Sequence, residues 1–140
     1  MIKYQGKQNL DLRTVSLPSH KSQFLSKIVA GVIGAGNFTG GTILPELVKN
    51  KVRIKYIASK NGVTASHKGK KFNVEKITSD YHEILNDSEV NTVFICTPHF
   101  NHGALVLESL KKGKNVFVEK PLALKLEEVL EIEEFQNSNT

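Results

Sequence analysis

The segment Gly34-Ala35-Gly36-Asn37-Phe38-Thr39-Gly40 follows the short β-branched run KIVAGVI and precedes an amphipathic stretch. A strand, a glycine turn and a helix form the context in which a backbone can hold a diphosphate. Gly34 permits the sharp turn. Gly36 lacks a Cβ, so a pyrophosphate can approach the main chain. The N–H groups that open the next helix, at Asn37 and Phe38, would meet its negative charge with the help of the helix dipole. The third position of such a fingerprint favours Gly or Ala for close helix–strand packing. Here it is Thr39, with Gly40 one residue late. Thr39 must therefore find room against the strand, or the helix must shift. The alternative is a glycine-rich turn that only packs. No Gly-Lys-Ser/Thr follows, which argues against a P-loop.

Three further clusters could carry chemistry. The second strand ends IASKNG, with Ser59 and Lys60 where an NAD site usually places an acid for the ribose hydroxyls. A hydroxyl and an ammonium would accept the 2′-phosphate that a carboxylate repels, so this end leans towards NADP over NAD. The fourth strand ends Cys96-Thr97-Pro98-His99 and the fifth ends Glu119-Lys120-Pro121. Ligands of parallel sheets bind beyond the carboxyl ends of the strands, so both ends should open onto the crevice of the glycine turn. Lys120 would then be held at the rim, aimed at the reacting end of a cofactor. The alternative is a Glu-Lys pair that caps a strand ahead of a proline stop. His99 and His102 are three apart, but no Cys or acidic partner lies near them in the sequence, so a metal site is not expected. His102 reads as a helix-start residue bonding to backbone, and Cys96 as a core thiol.

The elements that must position these residues alternate. Strands are expected at KIVAGVI, VRIKYIAS, VEKIT, NTVFICT and KNVFVE. NTVFICT is nearly all apolar and should be buried on both faces. Helices are expected near Asn37 to Asn50, bent by Pro45; at VTASHKGKKF, interrupted by Gly69; at SDYHEIL, opened by a capping box of Asp80 and Glu83; at FNHGALVLESLKKG, stopped by Gly113; and at KLEEVLEIEEF, apolar at Leu126, Val129, Leu130 and Phe135. Alternating strands and helices give an α/β fold, a doubly wound and mostly parallel sheet in a single domain over residues 28–140. Residues 1–27 are polar and aperiodic and read as a linker or N-terminal arm, in which IKY and LRTVSL could still pair as short strands.

Composition excludes several classes. The chain has 140 residues, 39% of them apolar, enough for one core. No apolar run is long enough for a membrane span, and the N-terminus MIKYQGKQNLDL has no signal-like core. A single cysteine forbids an intrachain disulfide and fits a cytoplasmic protein. The net charge of +5 is scattered over many lysines instead of gathered on one face, which speaks against a nucleic-acid partner.

The pieces GVIGAGNFT, DYHEIL…VNTVFICTP and TPHFNHGALVLESLKKGKNVFVEKPLAL together resemble the N-terminal domain of the Gfo/Idh/MocA oxidoreductase family, over about residues 28–135. The resemblance implies a Rossmann domain that binds NAD or NADP. It implies that Lys120 touches substrate and the nicotinamide ribose, and that the Lys120–Pro121 bond is cis. It places Thr97, Pro98 and Asn101 along the cofactor cleft, His102 beside it and Glu119 near the nicotinamide. ASK resembles the ASR of members that use NADP, and Thr39 is the main departure. Family members continue into a substrate domain that supplies an acid–base pair, so this chain looks like one domain of a longer oxidoreductase acting on a sugar or cyclitol, inactive alone. One branch fuses an upstream zinc-type alcohol dehydrogenase-like half. A non-catalytic dinucleotide-sensing domain is the alternative; a pure sensor would not need Lys120.

Overall fold

The computed structural model describes residues 13–18, 24 and 26–140. IKY lies outside them. Among the described residues six strands form one sheet: β1 (Thr14–Ser16), β2 (Val29–Ile33), β3 (Arg53–Ala58), β4 (Lys76–Thr78), β5 (Thr92–Ile95) and β6 (Asn115–Val118). Their order is β1-β4-β3-β2-β5-β6, parallel throughout except for β1, which runs antiparallel to β4. Part of the N-terminal arm thus joins the sheet: Thr14 pairs with Thr78 and Leu17 N–H donates to Glu75 O.

Among the described residues five α-helices cover the two faces: α1 (Leu44–Lys49), α2 (Gly62–Lys71), α3 (His82–Asn86), α4 (His102–Lys111) and α5 (Leu126–Ser138). Side chains alternate across a strand. Val32 and Ile57 therefore pack with Leu44, Leu47 and Ala65 on one face, while Ile33, Val93 and Ile95 pack with Ile84, Leu105 and Ile132 on the other. Each fully buried Leu or Ile contributes about 1.5–3 kcal/mol relative to exposure. The sheet is doubly wound, as the alternating pattern requires.

Several local readings are corrected by the packing. The helix after the glycine turn opens with a π-turn at Thr39–Ile43, where Leu44 N–H reaches back to Thr39 O. This wider turn directly precedes Pro45, which has no N–H to give. Gly69 does not interrupt α2; it is buried there because a Cβ would run 2.5 Å from Leu17 Cδ1. The capping box at Asp80 is half formed. The Asp80 carboxylate accepts from His82 N–H at 3.0 Å, but Thr78 Oγ1, not Glu83, accepts the Asp80 N–H. Gly113, at φ +72°, ends α4 as expected, with Gly113 N–H on Leu110 O and Lys114 N–H on Ser109 O, a Schellman closure. In α5 the buried residue is Ile132, whereas Leu126 and Leu130 face outwards at 69% and 52% exposure. Phe117 on β6 is also outward, because β6 is the last strand of the sheet among the described residues.

The amino ends of the strands carry a charged cluster far along the sheet from the glycine turn. Arg53 pairs with Glu75 and Glu89, and Lys55, 7% exposed, places Nζ 2.6 Å from Asp87. Tyr56 Oη donates to the same carboxylate at 2.9 Å. Burial alone would raise the Asp87 carboxyl, but Lys55, the Glu89 N–H and Tyr56 together hold it down at about 2. A carboxyl lowered from 3.8 to about 2 stabilises the fold by about 2 kcal/mol. Because the folded value lies below the unfolded one, that stability is complete above pH 3.8 and is lost as pH falls towards 2. Denaturant midpoints should fall across this window in the wild type. In Asp87→Asn the acid dependence should flatten, and an unchanged slope would contradict the assignment.

Candidate functional site

The order of the sheet creates a switch point at β2. Its neighbours β3 and β5 lead the chain in opposite directions, and a crevice opens beyond their carboxyl ends. A cleft of about 620 Å³ lies there, with walls from the end of each of these strands. Gly34, Ala35 and Gly36 come from the β2 end, Ser59, Lys60 and Asn61 from β3, and Cys96, Thr97 and Pro98 from β5. Tyr81, Phe100, Asn101 and Leu105 are among the other lining residues.

The glycine turn is built as its sequence demands. Gly34 adopts φ +104°, and a Cβ there would sit 2.5 Å from Cys96 O. Its N–H donates to Ala58 O at 2.8 Å, which ties the turn to β3. Gly36 is the opposite case: it is exposed, and a Cβ on it would meet no atom within 4 Å. Its N–H has no hydrogen-bond acceptor among the described residues. Thr39 fits without blocking the cleft. It is fully buried behind the turn, and its hydroxyl donates to Gly34 O at 3.0 Å. The turn therefore accepts a hydroxyl where Gly or Ala was expected, because that hydroxyl satisfies the carbonyl of Gly34, just past β2.

Of the other residues named from sequence, Ser59, Lys60, Thr97, Pro98 and Asn101 line the cleft. Asn37 and Phe38 are exposed at the opening of the helix next to it. Thr97 Oγ1 is buried without a hydrogen-bond partner. An orphaned hydroxyl in a cleft wall is costly unless a ligand satisfies it. His102 is wholly buried and does not face the cleft. Its Nε2 lies 2.8 Å from Thr97 O and its Nδ1 2.8 Å from Pro121 O, so it bridges the ends of β5 and β6. It bonds to backbone, but between two loops instead of within its own helix.

Glu119 and Lys120 lie outside the cleft lining, at the carboxyl end of β6. Glu119 N–H donates to Ile95 O at 3.3 Å, and Pro121 O is held by His102. Lys120 therefore stands between two residues pinned to the end of β5, with a cis bond to Pro121. Its ammonium is exposed and makes no ion pair among the described residues. Cys96 is a thiol here: burial, above all, pushes it up to about 11.

Sequence reasoning missed Tyr81, Asn61 and Lys68. Tyr81 lines the cleft and donates from its hydroxyl to Glu108 at 2.8 Å; burial first, then Glu108, pushes that hydroxyl up to about 12. Asn61 lines it while capping α2, accepting from Thr64 N–H at 3.2 Å. An Asn ahead of a weakly helical run is a capping signal that could have found it. Among the described residues no three His, Cys, Asp or Glu side chains gather as a metal set would, and no helix is long and apolar enough to cross a membrane.

Comparison with known proteins agrees with this geometry. The family model described as an oxidoreductase family with an NAD-binding Rossmann fold, GFO_IDH_MocA, matches residues 28–139. An uncharacterized oxidoreductase of Bacillus subtilis, YrbE, is 31% identical over 107 residues, covering 75% of this chain and 31% of its own. The myo-inositol 2-dehydrogenase of Thermotoga maritima is 36% identical over 101 residues, covering 71% of this chain and 30% of its own. A 3-ketoreductase of Actinomadura kijaniata, KijD10, solved with NADP and TDP-benzene, superposes with a TM-score of 0.72 at 25% identity, over 79% of this chain and 35% of its own. The chain thus spans about a third of the length of the relatives it matches. A switch-point cleft with an open glycine turn and a family match over residues 28–139 together place the chain in the Gfo/Idh/MocA oxidoreductase family, as its NAD-binding Rossmann domain.

Proposed function

We propose that this chain is the cofactor-binding part of a longer oxidoreductase that moves a hydride between a nicotinamide dinucleotide and a carbinol or carbonyl carbon of a sugar or cyclitol. The observation that carries the reading is the unobstructed backbone of Gly36 at the mouth of a 620 Å³ cleft. A diphosphate would lie against that backbone and the opening N–H groups at Asn37 and Phe38. Ser59 and Lys60 would take the adenine ribose, with Lys60 favouring a 2′-phosphate. The orphaned Thr97 hydroxyl, with Pro98 and Asn101, would bound the ligand on the β5 side. The nicotinamide ring supplies hydride acceptance and donation when bound. Lys120 would orient the substrate hydroxyl and stabilise developing alkoxide charge, with Glu119 beside it. The myo-inositol 2-dehydrogenase and the 3-ketoreductase matched here are about three times as long, so the substrate pocket and proton acceptor are assigned to sequence beyond these residues. The isolated chain should bind cofactor and not turn over.

Fluorescence titration of the chain with NADPH and with NADH tests this. NADPH should bind several-fold more tightly, and Lys60→Ala should erase the preference. Equal affinities in the wild type would remove Lys60 from the site, and no binding of either would remove the cofactor reading.

A further inference from the structure

Lys68 is outside the cleft lining, yet it is bound to the glycine turn. It projects from α2, and its Nζ donates to Ala35 O at 2.7 Å. The peptide group that holds Ala35 O also holds Gly36 N–H. In a trans peptide these two point in opposite directions. A cation fixed on the carbonyl therefore fixes where the Gly36 N–H points, away from Lys68. It also polarises the amide and makes that N–H a better donor. This is the N–H left without an acceptor, on the residue whose Cα is open.

Gly40 belongs to the same device. A Cβ on Gly40 would run into Lys68 Cε and come within 3.2 Å of Cδ. The glycine that stands one residue late for the dinucleotide fingerprint leaves a channel for the lysine stem to cross the π-turn at Thr39–Ile43. In a helical position glycine otherwise costs stability relative to alanine, so its presence calls for such a reason.

We infer that Lys68 is a positioning residue for the dinucleotide: it sets and polarises the Gly36 amide that receives the diphosphate, and Gly40 is the clearance that lets it do so. This deepens the proposed cofactor reading and rests on it. The test is a double-mutant cycle on the intact chain, read by NADPH titration. Lys68→Ala and Gly40→Ala should each weaken NADPH about tenfold, and the double variant should be no weaker than Lys68→Ala alone. Alanine is a good helix former at either site, so both variants should fold. Adenosine 2′-phosphate, which has no diphosphate, should bind the wild type and Lys68→Ala alike. Wild-type NADPH affinity in Lys68→Ala, additive losses in the double variant, or a parallel loss for adenosine 2′-phosphate would each overturn the inference. If the wild type binds no dinucleotide, the functional reading fails. The ligand-free Gly36 amide proton then decides: an upfield move in Lys68→Ala supports the device, and an unmoved resonance overturns it.

Discussion

Gly36→Val is expected to leave the melting temperature within about 2 °C of wild type and to weaken NADPH binding about a hundredfold, a loss of about 2.8 kcal/mol at 1.4 kcal/mol per decade. The residue is exposed and a Cβ there touches nothing, so the fold has no reason to respond. The diphosphate does, because its approach to the backbone is what the missing side chain permits. Gly34→Ala should behave in the reverse way. At φ +104° a non-glycine residue costs about 1–3 kcal/mol. Its Cβ would also press on Cys96 O and on Cys96 C at 2.8 Å, both backbone atoms that cannot swing aside. Unfolding should come roughly 10 °C earlier, at about 3 °C per kcal/mol for a chain of this size. Thermal melts and titrations of the two variants separate a binding glycine from a folding glycine. A stable Gly36→Val that binds NADPH as tightly as wild type would show that the turn only packs.

Lys120→Ala, made in the longer polypeptide that would carry the substrate portion, should lower turnover by roughly a hundredfold or more, the range expected when one charge-stabilising or proton-handling group is lost. NADPH affinity should change by less than about threefold. The split follows from position. Lys120 is exposed and free of ion pairs at the end of β6, outside the wall that would hold the dinucleotide. Its backbone neighbours are tied to β5 through Ile95 and, by way of His102, Thr97. On the proposed reading the ammonium would act beside the cleft without helping to form it. Undiminished turnover would remove Lys120 from the chemistry, and no turnover in the unsubstituted polypeptide would favour a domain that senses dinucleotides without catalysis. Joint loss of turnover and binding would make Lys120 a cofactor ligand.

Much of this was legible in the sequence because it is local. Strand runs bounded by glycine, the GAG turn and the Gly113 stop each depend on neighbours a few residues apart. The wall residues Ser59, Lys60, Thr97 and Pro98 could be named because parallel strands all end on one side. What escaped depends on contacts distant in sequence. Lys68 is 33 residues from the carbonyl it holds, and periodicity marks it only as one lysine among several on α2. His102 holds a carbonyl 19 residues away, and its type says nothing of that. Leu126 and Leu130 were legible as apolar but not as outward, because α5 packs on α4, where Ile132 is the buried residue. Thr39 looked like a flaw because the fingerprint encodes size at that position, whereas the structure uses the hydroxyl.

The central claim is that the amides at the first crossover receive a diphosphate. Amide resonances followed during titration of the isotope-labelled chain with NADPH test it most directly. Gly36, Asn37 and Phe38 should shift saturably and together, with Ser59, Lys60 and Thr97 following the same isotherm, while Arg53, Lys55 and Asp87 at the other end of the strands stay in place. Saturable shifts that leave Gly36 and its neighbours unmoved would contradict it.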